Sequence, residues 1–480
     1  MRAPKVITNT SLYSFASFLQ KGVGFLLLPL YTHYLSPEDY GVLNVITSIT
    51  GFLSILFTMS LHGAASRFHF NSEEKEYRAK VWGTILLLVL ANSVFWGVLA
   101  IVFHPYLIDP FTKGIEFYPL VFLALLGTIL SPLYMFYQQW LRNRQEGWRY
   151  SANLLCNFIL AVTLNIVFLA VFNFGILSLI VSSLLVAIVF FIYSLIRFVP
   201  NISFKYDREI GVAAMKYSLP LVPHNITGYW SVMIDRLMLN TLMGASAVGL
   251  YSIGSQFGSI ISIVAYSINL AYSPWCFQEM AKGENGNYQK LYMFADVATF
   301  ICCFFALLIS LFAPEVISLM TSDKFHDAWQ PIPFICFGFV ANGLYYFFCQ
   351  PLFFAHTKYV MYVSIIALAT AYFGNLWLIP VFGIIGTGIS LFASMMVTAV
   401  LALVLSMWLE PQIKYHYVRM IAMTVMMLAV SLTVFEFQQM DDMLWRILSK
   451  AAVVIALCMV FTLIYRNQIK EFVKVIKKRD

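Results

Sequence analysis

Charge is what this chain has least of. Only 11% of its 480 residues are charged and 60% are hydrophobic, whereas soluble domains carry roughly a quarter charged residues. No long polar stretch separates the apolar runs, which leaves no room for a separate soluble domain. The phosphate-cradling GxxxxGK[ST] pattern is missing, so the sequence offers no ATPase of its own. CxxC and Cys/His ligand spacings are also missing, and no metal or cofactor is expected. The seven cysteines, Cys156, Cys276, Cys302, Cys303, Cys336, Cys349 and Cys458, lie in or beside apolar runs. They are expected to be small buried hydrophobes. No aromatic–basic pattern suggests nucleic acid.

What is present is a series of apolar runs, each long enough to cross a hydrocarbon core of about 30 Å as a helix. The reading is an all-α polytopic membrane protein of fourteen spans, at about 9–34, 41–65, 80–104, 116–138, 151–172, 175–198, 215–243, 247–271, 291–313, 331–355, 359–380, 383–408, 416–437 and 445–465. Only "VFG" separates the third- and fourth-last of them. The segment after Lys5 is too long for a cleavable signal. Alternate gaps hold 24 of the 30 basic residues. The other gaps hold Lys113, Lys324, Arg446 and Lys450 beside acids such as Asp109, Asp323 and Asp441. The positive-inside rule then places both termini in the cytoplasm. The excess of seven positive charges is mostly this topology signal.

Two basic residues fit neither set, Lys21 in the first span and Arg236 in the seventh. A charge at mid-bilayer costs at least about 2.5–3.5 kcal/mol and usually faces a cavity or a partner. Lys21 stands about twelve residues, near 18 Å, from the cytoplasmic end, too far for its stem to reach water. It shares a helical face with Thr10, Ser14, Ser17 and Gly24. Asn44, Ser48, Gly51, Thr58 and His62 form a similar stripe in the second span, with Arg67 beyond its cytoplasmic end. In the seventh span His224, Gly228, Ser231 and Asp235 line up beside Asn225, Tyr229 and Arg236. Tyr251, Ser255, Gly258, Ser262, Tyr266 and Asn269 continue the pattern in the eighth. Small and hydroxyl residues of this kind also serve plain helix packing, and Lys21 and Asp235 are an alternative pair. Asp235 is the better proton-site candidate, because it lies deeper than Asp296, which is near the cytoplasmic end of the ninth span. His224 is a third candidate.

Proline and glycine mark bends. Pro29 removes the donor to the Phe25 carbonyl, and Gly22 and Gly24 loosen the same region. Pro220 and Pro223 do likewise in the seventh span. These five positions are the gate or hinge candidates.

A faint repeat lays "LSPEDYGVLNVITSITGFLSI" (35–55) on "MGASAVGLYSIGSQFGSIISI" (243–263), with Gly41 on Gly249. Each copy links a charged span to a polar-striped one. Six spans separate them, which implies a parallel repeat about an axis along the membrane normal. The expected division is an N-terminal lobe at 1–208, a C-terminal lobe at 209–408, and two additional spans with a basic tail at 409–480.

"PLYTHYLSPEDYGVLNVITS" and "IDRLMLNTLMGASAVGLYSIGSQF" resemble the opening segments of the two halves of bacterial polysaccharide flippases, the Wzx-type O-antigen transporters. That superfamily also holds the MATE exporters and the lipid II flippase. The resemblance implies two lobes around a central cavity and alternating access without ATP hydrolysis. The implied substrate is an undecaprenyl-diphosphate-linked oligosaccharide, moved from the cytoplasmic to the periplasmic face of the bacterial inner membrane. It also implies a polysaccharide polymerase and glycosyltransferases as pathway partners. Only Asp235, Arg236 and Gly249 carry over through the motif. Lys21 and Arg67 are assigned by position and charge as diphosphate ligands beside Arg236, since charge-assisted hydrogen bonds can replace lost hydration. Asn44, Tyr229, Tyr251 and Tyr266 are expected to contact sugars. Two other functions remain open: a MATE-like cation-coupled exporter of small amphipathic molecules, and a membrane glycosyltransferase or polymerase.

Overall fold

The computed structural model describes residues 25–464 other than 284, 285, 287, 357, 412 and 441. Lys21, Gly22, Gly24 and both chain termini lie outside these residues, as does the side chain of His224. Among the described residues the secondary structure is helical, without strands. The helices are α1 (Leu28–Tyr34), α2 (Pro37–Thr58), α3 (Leu61–His69), α4 (Lys75–Val102), α5 (Phe122–Asn143), α6 (Gly147–Ile166), α7 (Leu177–Arg197), α8 (Arg208–Ser218) and α9 (Leu221–Met243). They continue as α10 (Ala245–Met280), α11 (Tyr288–Met320), α12 (Ile332–Phe348), α13 (Gln350–Ala355), α14 (Lys358–Phe382), α15 (Ile384–Leu409), α16 (Tyr417–Ser431) and α17 (Met443–Ile464). Among the described residues ten helices are long and apolar enough to cross a membrane, or eleven with the bent pair Asp323–Trp329 and Ile332–Phe348. The helices α9 and α17, where the seventh and fourteenth spans were expected, have span length but fall outside that count.

Two expected spans are broken. The second, at 41–65, stops at Met59 and Ser60, which both adopt left-handed backbone with φ of 45° and 56°. Neither residue is glycine, so the conformation is held from outside. Asn92 of α4 donates through Nδ2 to the Leu56 and Phe57 carbonyls at 2.7 and 2.8 Å. These are carbonyls that a helix end leaves without an intrahelical partner. Asn225 of α9 donates to the Ser60 hydroxyl at 2.8 Å. The seventh span, at 215–243, is interrupted at Leu219–Pro220, between α8 and α9. Pro29 sits in the first turn of α1, where its missing N–H costs nothing.

By its contacts the chain forms two units, Met1–Leu250 and Tyr251–Asp480. In the first, Trp82 is fully buried, with Phe136 and Phe198 edge-on to its ring at 6.2 and 6.0 Å. Its indole N–H donates to His69 Nδ1 at 3.0 Å. The segment before α8 lies on α4: Ser203 N–H donates to the Ala79 carbonyl at 3.0 Å, and Asp207 N–H to the Thr84 hydroxyl at 3.1 Å. That α4 surface is flat because residue 83 is glycine. A Cβ there would sit 1.8 Å from the Ser203 oxygen.

The two glycines matched by the sequence repeat meet in space within this unit. A Cβ on Gly41 would come within 1.7 Å of the Ala245 oxygen, and one on Gly249 within 1.9 Å of the Pro37 oxygen. Pro37 and Ala245 are themselves equivalent in the repeat, so the contact is related to itself by a local two-fold exchange. Close approach of this kind needs small residues at the crossing.

In the second unit, α14 and α15 form a tight hairpin turned by Gly383 at φ 59°, which confirms the split at "VFG". Ser390 and Ser394 donate across the hairpin to the Ala371 and Ala367 carbonyls at 3.1 and 2.7 Å. The core of this unit gathers Tyr272, Cys276, Leu291, Tyr292, Phe348 and Tyr415. Cys276, Cys302, Cys303, Cys336 and Cys349 are buried as expected, but Cys156 is exposed, since α6 turns most of its surface outward.

Two outcomes are expected. Gly41→Ala or Gly249→Ala forces backbone apart and should destabilise the protein by about 1–3 kcal/mol, read as a lower thermal midpoint in detergent. His69 is held neutral: burial, then the positive charges of Arg78 and Arg144, push its imidazole down to about 4. Its unfolded value is higher, so the unfolded chain binds more protons as pH falls. Stability should therefore decline between about pH 6.5 and 4, by up to about 2–3 kcal/mol. His69→Gln should flatten that part of the pH–stability curve, as thermal melts across the range will reveal.

Candidate functional site

The polar stripe of α2 faces α9 inside the first unit. Ser48 donates to the Asn44 carbonyl at 2.7 Å and accepts from Arg236 Nη1 at 3.3 Å. Asn44 is turned onto its own helix and donates to the Tyr40 carbonyl at 2.8 Å. Two turns toward the α9 N-terminus, the Tyr229 hydroxyl donates to the Thr47 carbonyl at 3.4 Å. It rests where residue 51 has no side chain: a Cβ on Gly51 would lie 1.9 Å from that oxygen. The stripe that the sequence placed on one face of α2 thus forms the seat for two α9 side chains.

Arg236 is half-buried, and among the described residues no carboxylate lies within ion-pair range of it. Its one hydroxyl contact is long for a hydrogen bond to a charged donor. Its neighbour Asp235 is 4% exposed. Arg67 stands apart, on α3: its guanidinium is exposed and lies over the Tyr217 ring at 4.8 Å, a cation–π contact. Structure thus brings Asn44, Tyr229 and Arg236 together and leaves Arg67 at the α3 end.

Tyr251 and Tyr266 belong to the second unit. Tyr251 is buried, whereas Tyr266 is 52% exposed with its ring near Tyr346. Of the hinge candidates, Pro220 caps α9 and Pro223 falls in its first turn.

Two charged clusters in the second unit were not legible as clusters. Both use α11, which carries Asp296 and Glu315 nineteen residues apart. On an ideal helix that is about 28 Å, close to the thickness of the hydrocarbon core. At one end Asp296 meets His416 and Arg419. At the other, Glu315 binds Lys450 with both oxygens, at 2.7 and 2.9 Å, and lies 3.4 Å from Arg446 Nε. Lys450 is fully buried. The sequence reading counted it with the outward gaps; the structure places it inside α17, neutralised by a carboxylate of another helix.

Comparison with known proteins accords with this fold. A family model described as "Polysaccharide biosynthesis protein" matches residues 6–280, more than half of the chain, and a MatE model matches residues 220–377. Lsg locus putative protein 1 of Haemophilus influenzae is 22% identical over 330 residues, covering 67% of this chain and 78% of the relative. The succinoglycan biosynthesis transport protein ExoT of Rhizobium meliloti is 24% identical over 292 residues, 58% of this chain and 55% of the relative. Among solved structures, the lipid II flippase MurJ in an inward closed conformation superposes with a TM-score of 0.76 at 12% identity, over 95% of this chain and 99% of the other. An inward-facing MATE transporter of the MOP superfamily gives 0.62 at 15% identity, over 84% and 98%. The structural likenesses speak to the fold, and the family-model match to descent. The chain is a multi-pass membrane protein that belongs to the polysaccharide biosynthesis protein family.

Proposed function

We propose that the protein is a flippase for lipid-linked saccharides, carrying undecaprenyl-diphosphate-linked oligosaccharides from the cytoplasmic to the periplasmic face of the bacterial inner membrane. The observation that carries this reading is Arg236: a half-buried guanidinium within α9 with one hydroxyl contact and no carboxylate partner among the described residues. A cation kept there without an anion is poised for one that arrives with substrate. A diphosphate supplies that charge and accepts fork-shaped hydrogen bonds from arginine. Asn44 and Tyr229 beside it offer amide and hydroxyl groups to sugars. Lys21 and Arg67 are assigned to the same anionic group at other stages of its passage.

The relatives support this class of substrate through their names: succinoglycan transport for ExoT and lipid II for MurJ. Transport proceeds by alternating access about the hinge positions Pro29, Pro220 and Pro223, with Gly22 and Gly24. No ATP is hydrolysed, and a polymerase and glycosyltransferases of the same pathway act upstream and downstream. The match of a MatE model to residues 220–377 favours one second reading. This is a cation-coupled exporter of amphipathic molecules in which Asp235, with His224 or Asp296, takes the ion.

In a strain lacking the gene, complementation with Arg236→Ala at matched protein level should lower surface polysaccharide roughly tenfold or more, as expected from one lost charge-assisted contact. Arg236→Lys should restore part of it. Full polysaccharide with Arg236→Ala and Lys21→Ala would overturn the assignment. Broad drug sensitisation with intact polysaccharide would favour the exporter.

A further inference from the structure

Asp296 lies eight residues inside α11 and is 1% exposed. Its Oδ2 is 2.7 Å from His416 Nδ1 and 3.5 Å from Arg419 Nη1. Its Oδ1 is buried and has no hydrogen-bond partner among the described residues. His416, in contrast, has 39% of its side chain exposed. One imidazole therefore touches both an accessible surface and a buried carboxylate.

The surroundings tie this pair to the linker between α15 and α16. The Lys414 backbone N–H donates to the Tyr292 hydroxyl at 2.6 Å, and the Tyr415 and Tyr272 hydroxyls share a hydrogen bond of 2.8 Å. Glu410, at the other end of the linker, faces His356 Nε2 at 3.3 Å. The linker is thus held at each end by a histidine–carboxylate pair. The titratable and charged groups packed near Asp296 are His416, Arg419, Lys414 and Tyr415 on that segment, Tyr292 on α11, and Tyr272 and Cys276 on α10.

We propose that Asp296 and His416 form a proton-binding site. His416 takes a proton from the aqueous side and passes it from Nδ1 to Asp296 Oδ2. The imidazolium becomes imidazole and the carboxylate becomes a carboxylic acid, so the pair's charge is conserved in the transfer. A neutral Asp296 no longer attracts Arg419, and the linker loses its hold on α11. Proton occupancy is thereby coupled to the attachment of the linker. Its use in driving transport rests on the transporter reading; the binding itself does not.

The test uses full-length protein in lipid nanodiscs with no substrate. Infrared difference spectra are recorded between about pH 4 and pH 8, a range that brackets ordinary carboxyl and imidazole titration, together with hydrogen exchange of residues 410–416. A carboxyl C=O band should grow on acidification and be lost in Asp296→Asn. Linker exchange should rise with the same midpoint. His416→Gln, which alters a surface-accessible side chain, should displace that midpoint by roughly one pH unit or more, and this arm stands even where Asp296→Asn does not fold. Retention of every titrating band in Asp296→Asn overturns the proposal, as does an unmoved midpoint in His416→Gln. Linker exchange that ignores the transition reduces the pair to a static tie and also overturns it. No arm depends on saccharide, so failure here leaves the flippase reading to its own experiment.

Discussion

In a bilayer the backbone has no water to bond with, and each carbonyl or charge must find its partner inside the protein. This constraint decides where the chain can depart from regular helix. The break at Met59–Ser60 persists because Asn92 reaches across from α4 and serves two carbonyls at once. The α14–α15 hairpin is tight because Ser390 and Ser394 donate to carbonyls of the facing helix. Side-chain amides and hydroxyls take over the role that solvent plays in a soluble fold. Contacts of this type are modest singly, of order 1 kcal/mol, but they fix which helix lies against which.

Close packing supplies the remaining cohesion. Lipid tails are as apolar as leucine, so burial of apolar surface does little to bring helices together. Shape does more. At Gly41 and Gly249 two backbones touch, and the contact repeats itself under exchange of the two copies. Gly51 makes room for the Tyr229 hydroxyl in the same way. At Gly41 and Gly249 glycine is a space requirement, because the obstructing atoms are backbone that cannot rotate aside.

Charges follow the same logic with higher stakes. Lys450 and Asp296 are both nearly inaccessible, and each meets an opposite charge on another helix, Glu315 and Arg419. Breaking such a pair would leave an uncompensated buried ion. Both ties attach the C-terminal helices α16 and α17 to α11, one near each end of that long helix. Arg236 departs from the pattern, with a serine hydroxyl in place of an acid among the described residues, and this departure is what marks α9 as the helix that receives substrate in our proposal.

Much of this was readable from the sequence. Composition alone dictated an all-helical membrane protein, because twenty-residue apolar runs have no other stable form in lipid. Helical periodicity put Ser48, Gly51 and Asn44 on one face, and the repeat singled out Gly41 and Gly249. Proline marked the interruption ahead of α9. The sequence was silent wherever the deciding partner is remote in the chain. Nothing near Met59 announces a break, since the donor that permits it is thirty-odd residues away on another helix. Lys450 reads as a loop cation until Glu315 is seen beside it, and Asp296 reads as interfacial until His416 closes over it. Local pattern determines which segments become helices and which faces are polar; only the tertiary structure decides which buried charges are already satisfied, because pairing energy depends on distance in space and the sequence records distance along the chain alone.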